Sequence, residues 1–153
     1  MNDVQFWIQI ASTVLIAFTF LVYVFQLRAM RSASTAQNIL AVLNYLQDSE
    51  VREARRIVFT ELNEKPLASW TADDKRVASL VYGTYDMAGI LIHRGLVPKD
   101  LFVSNWGASI VRCYKVLEPF LAELHAIAPG TKYGEHMKWL RDEAVRNGVA
   151  SGV

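Results

Sequence analysis

Apolar residues along this chain fall into two regimes. From Val4 to Leu27 they run almost unbroken, VQFWIQIASTVLIAFTFLVYVFQL, 24 residues without Asp, Glu, Lys, Arg or His. About 20 residues at ~1.5 Å rise match a hydrocarbon core ~30 Å thick, so the run predicts one bilayer-spanning helix. Beyond it, apolar residues recur at intervals of three and four, and no stretch shows the alternation of a half-buried strand. The pattern predicts an all-α protein: a single N-terminal transmembrane helix followed by a small cytoplasmic helical bundle. The expected division is an anchor over 1–30, a helical domain over 31–148 and a flexible tail over 149–153.

Fourteen of the 24 positions in the first regime are Leu, Ile, Val or Phe. On an insertion scale they outweigh the polar residues of the run by about a few kcal/mol. A soluble surface helix would show a polar face, and this run is apolar on all sides. A cleaved signal peptide needs a basic start and an apolar core of about 7–15 residues. Here only Asp3 is charged before the run, and Arg28 and Arg31 separate it from Ser32-Ala33-Ser34. An uncleaved anchor is expected. Because basic flanks stay cytoplasmic, those arginines place the N-terminus outside and the C-terminal domain in the cytoplasm, at the inner (plasma) membrane.

The second regime predicts helices in sequence. Ser34 to Gln47 has Ala36, Ile39, Leu40, Leu43 and Leu46 on one face, and no helix breaker separates it from the anchor. Asp48 or Ser49 caps a helix from Glu50 to about Leu62, with Glu53 projecting from a different face than the arginines. Thr71-Ala72-Asp73-Asp74 reads as a capping box opening a long helix to about Arg94, which Gly95 closes in a left-handed cap. Pro98 suits the first turn of a helix from Lys99 to about Ala128, with a break possible at Asn105-Trp106-Gly107 and Pro119 inside it. A last helix is expected from Lys132 to Arg146.

Charge and cysteine content narrow the partners. All 16 Lys and Arg follow residue 27, against every acid except Asp3, so the domain is close to neutral and lacks the basic face of a nucleic-acid duplex binder. Cys113 is the single cysteine and sits in an apolar pattern, as a small core residue does. Trp106, Tyr114, Tyr133 and Trp139 read as packing residues, and Gly83 and Gly89 as points of close helix crossing.

Three constellations carry candidate chemistry. On the long helix, Lys75, Ser79, Tyr82, Asp86, Gly89 and His93 form one stripe, either a solvated face or a surface for a ligand or partner helix. Arg52, Arg55 and Arg56 cluster on the preceding helix, as a solvated face, a contact for anionic headgroups or a phosphorylated-ligand site. In the anchor, Gln9, Ser12, Ile16, Thr19, Tyr23 and Gln26 repeat at three and four and hold most of the polar atoms of the span. That seam is either internally hydrogen-bonded or a transmembrane packing face. No metal cluster, phosphate loop or nucleophile elbow is present in the sequence, and no cofactor is implied. A paired-carboxylate site could use Asp86 with Glu118 or Glu123, whose separation the sequence does not fix.

The anchor followed by FQLRAMR, then SEVREARRIV, GILIHRGLVPKDLF, WGASIVRCYKVLEPFLAEL and YGEHMKWL, resembles the DUF4760 type of uncharacterised bacterial membrane-anchored proteins. The resemblance implies a single N-terminal anchor and a helical cytoplasmic domain. It implies no established activity and brings no catalytic residues. The expected function is a membrane-anchored interaction or sensor protein, not an enzyme, that forms a homo-oligomer through its transmembrane helix. The alternative is an effector whose soluble domain binds a small anionic, nucleotide-like ligand and signals to the membrane helix.

Overall fold

Helix α1 runs from Asn2 to Gln47, through the apolar run and on past both arginines. It is followed by α2 (Ser49–Thr60), two short 3-10 turns at Leu62–Glu64 and Leu67–Ser69, α3 (Ala72–His93), α4 (Lys99–Ile127) and α5 (Glu135–Arg146). The structure is a computed structural model that describes residues 2–149, and among these there is no strand. It is all-α, a long apolar N-terminal helix plus a helical domain. The chain divides into two compact units, Met1–Gln37 and Asn38–Val153.

In the first unit, no residue from Val4 to Leu27 is buried, and the helix is long and apolar enough to cross a membrane. Its hydroxyls turn inward to their own backbone. Ser12 and Thr13 donate to the Gln9 carbonyl at 2.9 and 2.8 Å, and Thr19 donates to Leu15 at 2.8 Å.

The second unit opens with the last turns of α1. Val42 and Leu46 are buried there, with Ile39 packed beside them, whereas Leu40 is 59% exposed. The buried face is therefore rotated from one centred on Leu40. The Asp48 carboxylate caps α2 by accepting from Glu50 N at 2.9 Å. The capping box of α3 is complete, with Asp74 N donating to Thr71 Oγ1 at 3.1 Å and Thr71 N to Asp74 Oδ2 at 2.9 Å. The Thr71 backbone bond holds the Asp74 carboxyl below its usual pKa.

The core gathers Ala78, Val81, Tyr85 and Ile92 of α3, Ile110, Leu117 and Phe120 of α4, and Met137 and Leu140 of α5. Each fully buried Leu, Ile or Met contributes roughly 1.5–3 kcal/mol. Cys113 lies fully buried in this core, as its sequence setting predicted. Gly95 closes α3 with φ +71°, Gly95 N donating to Ile92 O and Leu96 N to Leu91 O, both at 2.9 Å. That is the bond pair of a Schellman cap.

Four local expectations differ from the structure. Asn105-Trp106-Gly107 does not break α4; a Cβ on Gly107 would lie 3.1 Å from Ala144 Cβ, so this glycine marks the crossing of α4 and α5. Gly83 meets nothing within 4 Å and marks no crossing, while Gly89 does. Helix α5 starts at Glu135, not Lys132, because Gly134 at its N-cap takes φ +66°. Val149, placed by the sequence in the tail, completes a second Schellman cap through Val149 N to Ala144 O at 3.1 Å and packs on Val103, Val111 and Ala144. The rest of that tail, residues 150–153, lies outside the described residues.

Candidate functional site

The polar stripe of α3 is the seat of α5. Gly134, the N-cap of α5, has no side chain to satisfy the first-turn N–H groups. Asp86 supplies the acceptor from another helix: its Oδ1 takes His136 N at 2.9 Å and Met137 N at 3.0 Å. A carboxylate at this end is also favoured by the helix dipole. One turn on, a Cβ at Gly89 would lie 2.8 Å from both Cβ and O of His136, so only glycine lets α5 approach this closely. The His93 ring meets Trp139 edge-on at 5.1 Å and His136 at 5.9 Å. Tyr82 stands edge-on to Tyr133 at 6.5 Å and near Phe120 at 6.4 Å. Burial, then the nearby Tyr133 and Asp86, raise the Tyr82 phenol above its usual pKa.

Tyr82, Asp86 and His93 thus lie along one face, where Asp86 and His93 meet α5 and Tyr82 meets Phe120 of α4 and Tyr133 just before α5. At the start of the stripe Lys75 pairs with Glu123 at 2.7 Å. The two carboxylates weighed as catalytic partners of Asp86 are placed separately: Glu123 holds Lys75, and Glu118 borders an open depression beside Tyr114 and His125. His93 and His136, 43 positions apart in sequence, become neighbours. No group of three or more His, Cys, Asp or Glu among the described residues is arranged to hold a metal ion.

The arginine cluster of α2 separates into three environments. Arg52 is exposed. Arg56 forks onto Glu53, with Nε to Oε2 at 2.9 Å and Nη2 to Oε1 at 2.7 Å, and also reaches Glu61. Glu53 was expected on a different face; the i,i+3 spacing brings it within reach. That pairing lowers the Glu53 pKa and raises that of Arg56. Arg55 turns inward, 8% exposed, with Cζ 4.8 Å from the Trp106 ring centroid. Its Nη1 is buried without a hydrogen-bond partner among the described residues. Close to it, Tyr85 and Ser109 share a 2.7 Å hydroxyl–hydroxyl bond. Burial pushes the Cys113 thiol up to about 12 and the Tyr85 phenol up as well, with the Arg55 charge opposing both.

Several polar pairings were missed from the sequence. Glu143 is buried and accepts from Lys99 Nζ at 2.9 Å while pairing with Arg146 at 2.6 Å. Arg141 and Arg112 lie over Tyr114 and Phe59 at 4.4 and 4.5 Å. The Glu143–Arg146 spacing was a legible signal. The others join residues far apart in the chain.

Residues 8–143 match the family described as domain of unknown function (DUF4760), which covers most of the chain. No curated protein and no solved structure gives a match.

Proposed function

The chain belongs to the DUF4760 family, and from that premise we propose that it is a single-pass protein of the inner (plasma) membrane, an interaction or sensor protein rather than an enzyme. Val4–Leu27 crosses the bilayer with the N-terminus outside, the helical domain lies in the cytoplasm, and copies associate through the spanning helix. One observation carries this reading: a helix without Asp, Glu, Lys, Arg or His over 24 residues, followed at once by Arg28 and Arg31. The hydroxyl bonds of Ser12, Thr13 and Thr19 support it, since each donor is satisfied without water. The same bonds refine the association. With the hydroxyls donated to their own helix, contact along Gln9, Ser12, Ile16, Thr19, Tyr23 and Gln26 rests on close approach at the small residues rather than on hydroxyl bonds between helices.

Protease added to sealed inner-membrane vesicles and to intact spheroplasts tests the orientation. The domain is expected to be cut in inside-out vesicles and protected in spheroplasts, and the reverse pattern overturns the assignment. Crosslinking in the same membranes tests association. The wild-type chain is expected to give a defined oligomer that Ser12→Leu with Thr19→Leu weakens, and an unchanged oligomer in that variant reduces the helix to a tether.

A further inference from the structure

Three cations without a carboxylate partner lie on one seam of the helical domain, between α2 and the middle of α4. Arg56 is held by Glu53 and Glu61, and Lys65 by Asp74, but Arg55, Arg112 and Lys115 form no ion pair among the described residues. The two helices exchange arginines. Arg55 of α2 lies on Trp106 of α4, and Arg112 of α4 lies on Phe59 of α2, one turn beyond Arg55. A guanidinium over a ring face makes no hydrogen bond to it, so its N–H donors stay available for a forked anion contact.

Beside Arg112 the surface opens. A cavity of about 160 Å³ is bounded by Phe59, Asn63, Arg112 and Lys115. It shares Asn63, Lys115 and Val116 with a second cavity of about 300 Å³, walled by Leu67, Trp70 and Pro119. Neither cavity has an Asp or Glu in its lining. The first is small and cationic, and the second is mostly apolar with an indole at its side. A phosphate monoester carries a charge of about −1.5 to −2 near neutral pH, which matches two cations, whereas a carboxylate ligand carries only one negative charge.

We propose that this groove binds a phosphate monoester carrying a flat ring, a nucleoside monophosphate in chemical class, with the phosphate among Arg112, Lys115 and Asn63 and the ring beside Trp70 and Pro119. The site lies in the domain alone and does not depend on the spanning helix or on self-association. It excludes Arg52 and Arg56, and it leaves Tyr82, Asp86 and His93 to their structural contacts.

The test uses the full chain in nanodiscs of neutral phosphatidylcholine, titrated by calorimetry with AMP, GMP, CMP and UMP, with the matching nucleosides and with inorganic phosphate. At least one nucleotide is expected to bind saturably, and its nucleoside and phosphate alone at least roughly tenfold more weakly. Lys115→Gln, an exposed change, and Arg112→Gln are each expected to weaken that binding by roughly tenfold or more, with the melting temperature of Lys115→Gln unchanged. No nucleotide binding below about 1 mM overturns the proposal, as does equal binding by Lys115→Gln and wild type. Nanodiscs doped with phosphatidic acid form the last arm. Nucleotide displaced by that lipid supports a site that reads the phosphate monoester, while lipid binding lost in Lys115→Gln with no nucleotide bound overturns the ring's part in it.

Discussion

Replacing each interior glycine of α3 with alanine should change stability in opposite directions. At Gly83 a new methyl meets nothing within 4 Å, so Gly83→Ala gains only helix propensity, roughly 0.5–1 kcal/mol. At Gly89 the methyl arrives 2.8 Å from His136 Cβ and O and 3.0 Å from its carbonyl carbon, where ordinary carbon contacts lie near 3.5–4.0 Å. Two of those atoms are backbone, and the segment is tied down by the two bonds to Asp86, so a rotamer change cannot clear the space. Overpacking costs about 1–3 kcal/mol, and against backbone that cannot move aside the upper part of that range, about 2–3, applies; the propensity gain offsets about 1 of it. The net loss for Gly89→Ala is about 1–2 kcal/mol. For a domain of this size that is a fall in Tm of roughly 4–8 °C, against a rise of roughly 2–4 °C for Gly83→Ala. Both follow from thermal unfolding of the full chain in mild detergent, read by tryptophan fluorescence, since Trp70, Trp106 and Trp139 all lie in the domain. A Gly89→Ala protein as stable as wild type, or two variants that move together, would refute the close crossing of α3 and α5.

Other outcomes follow from the same contacts. Asp86→Ala leaves His136 N and Met137 N without their acceptor and should cost about 1–2 kcal/mol by denaturant unfolding, with Asp86→Asn losing less; equal loss by both would assign the effect to charge alone. The folded Cys113 thiol is raised to about 12 while the unfolded one titrates near 8.5, so its contribution is complete below about pH 8.5 and is lost as pH climbs toward 12, at about 1.4 kcal/mol per pH unit. Stability of wild type relative to Cys113→Ala should therefore fall between pH 9 and pH 10.5, and a constant difference contradicts the burial of the thiol. The Asp74 carboxyl is lowered in the folded chain, so its contribution is present above about pH 4 and fades as acid is added; Asp74→Asn should flatten the acid limb of a pH–stability curve.

Features written in neighbouring residues were the legible ones. The apolar run, the Asp48 cap, the Thr71–Asp74 box and the Gly95 turn each depend on side chains within four positions, and each stands where the local chemistry puts it. The stripe on α3 was legible as a stripe, and its spacing left open what would face it. Its partner is α5, about 50 positions later, and the first-turn donors of α5 are invisible to any pattern around Asp86. The arginine run of α2 divides for a related reason. Three nearby guanidiniums look alike in sequence, but Trp106 of α4 takes one, Glu53 another, and the third stays in water. Arg112 and Lys115 gave no local motif at all, because the groove they border is completed by Phe59 and Asn63 from before α3.

Asp86 also sets an order of events during synthesis. Helix α5 has 12 residues, at or below the ~12–15 that hold an isolated helix in water, and its first turn is completed by a carboxylate on α3. At about 5–20 residues per second, the chain from Gly89 to Glu135 takes roughly 2–9 s to emerge. Through that interval the Asp86 carboxylate has no helix to cap, and the Gly89 notch stays unfilled until α5 emerges.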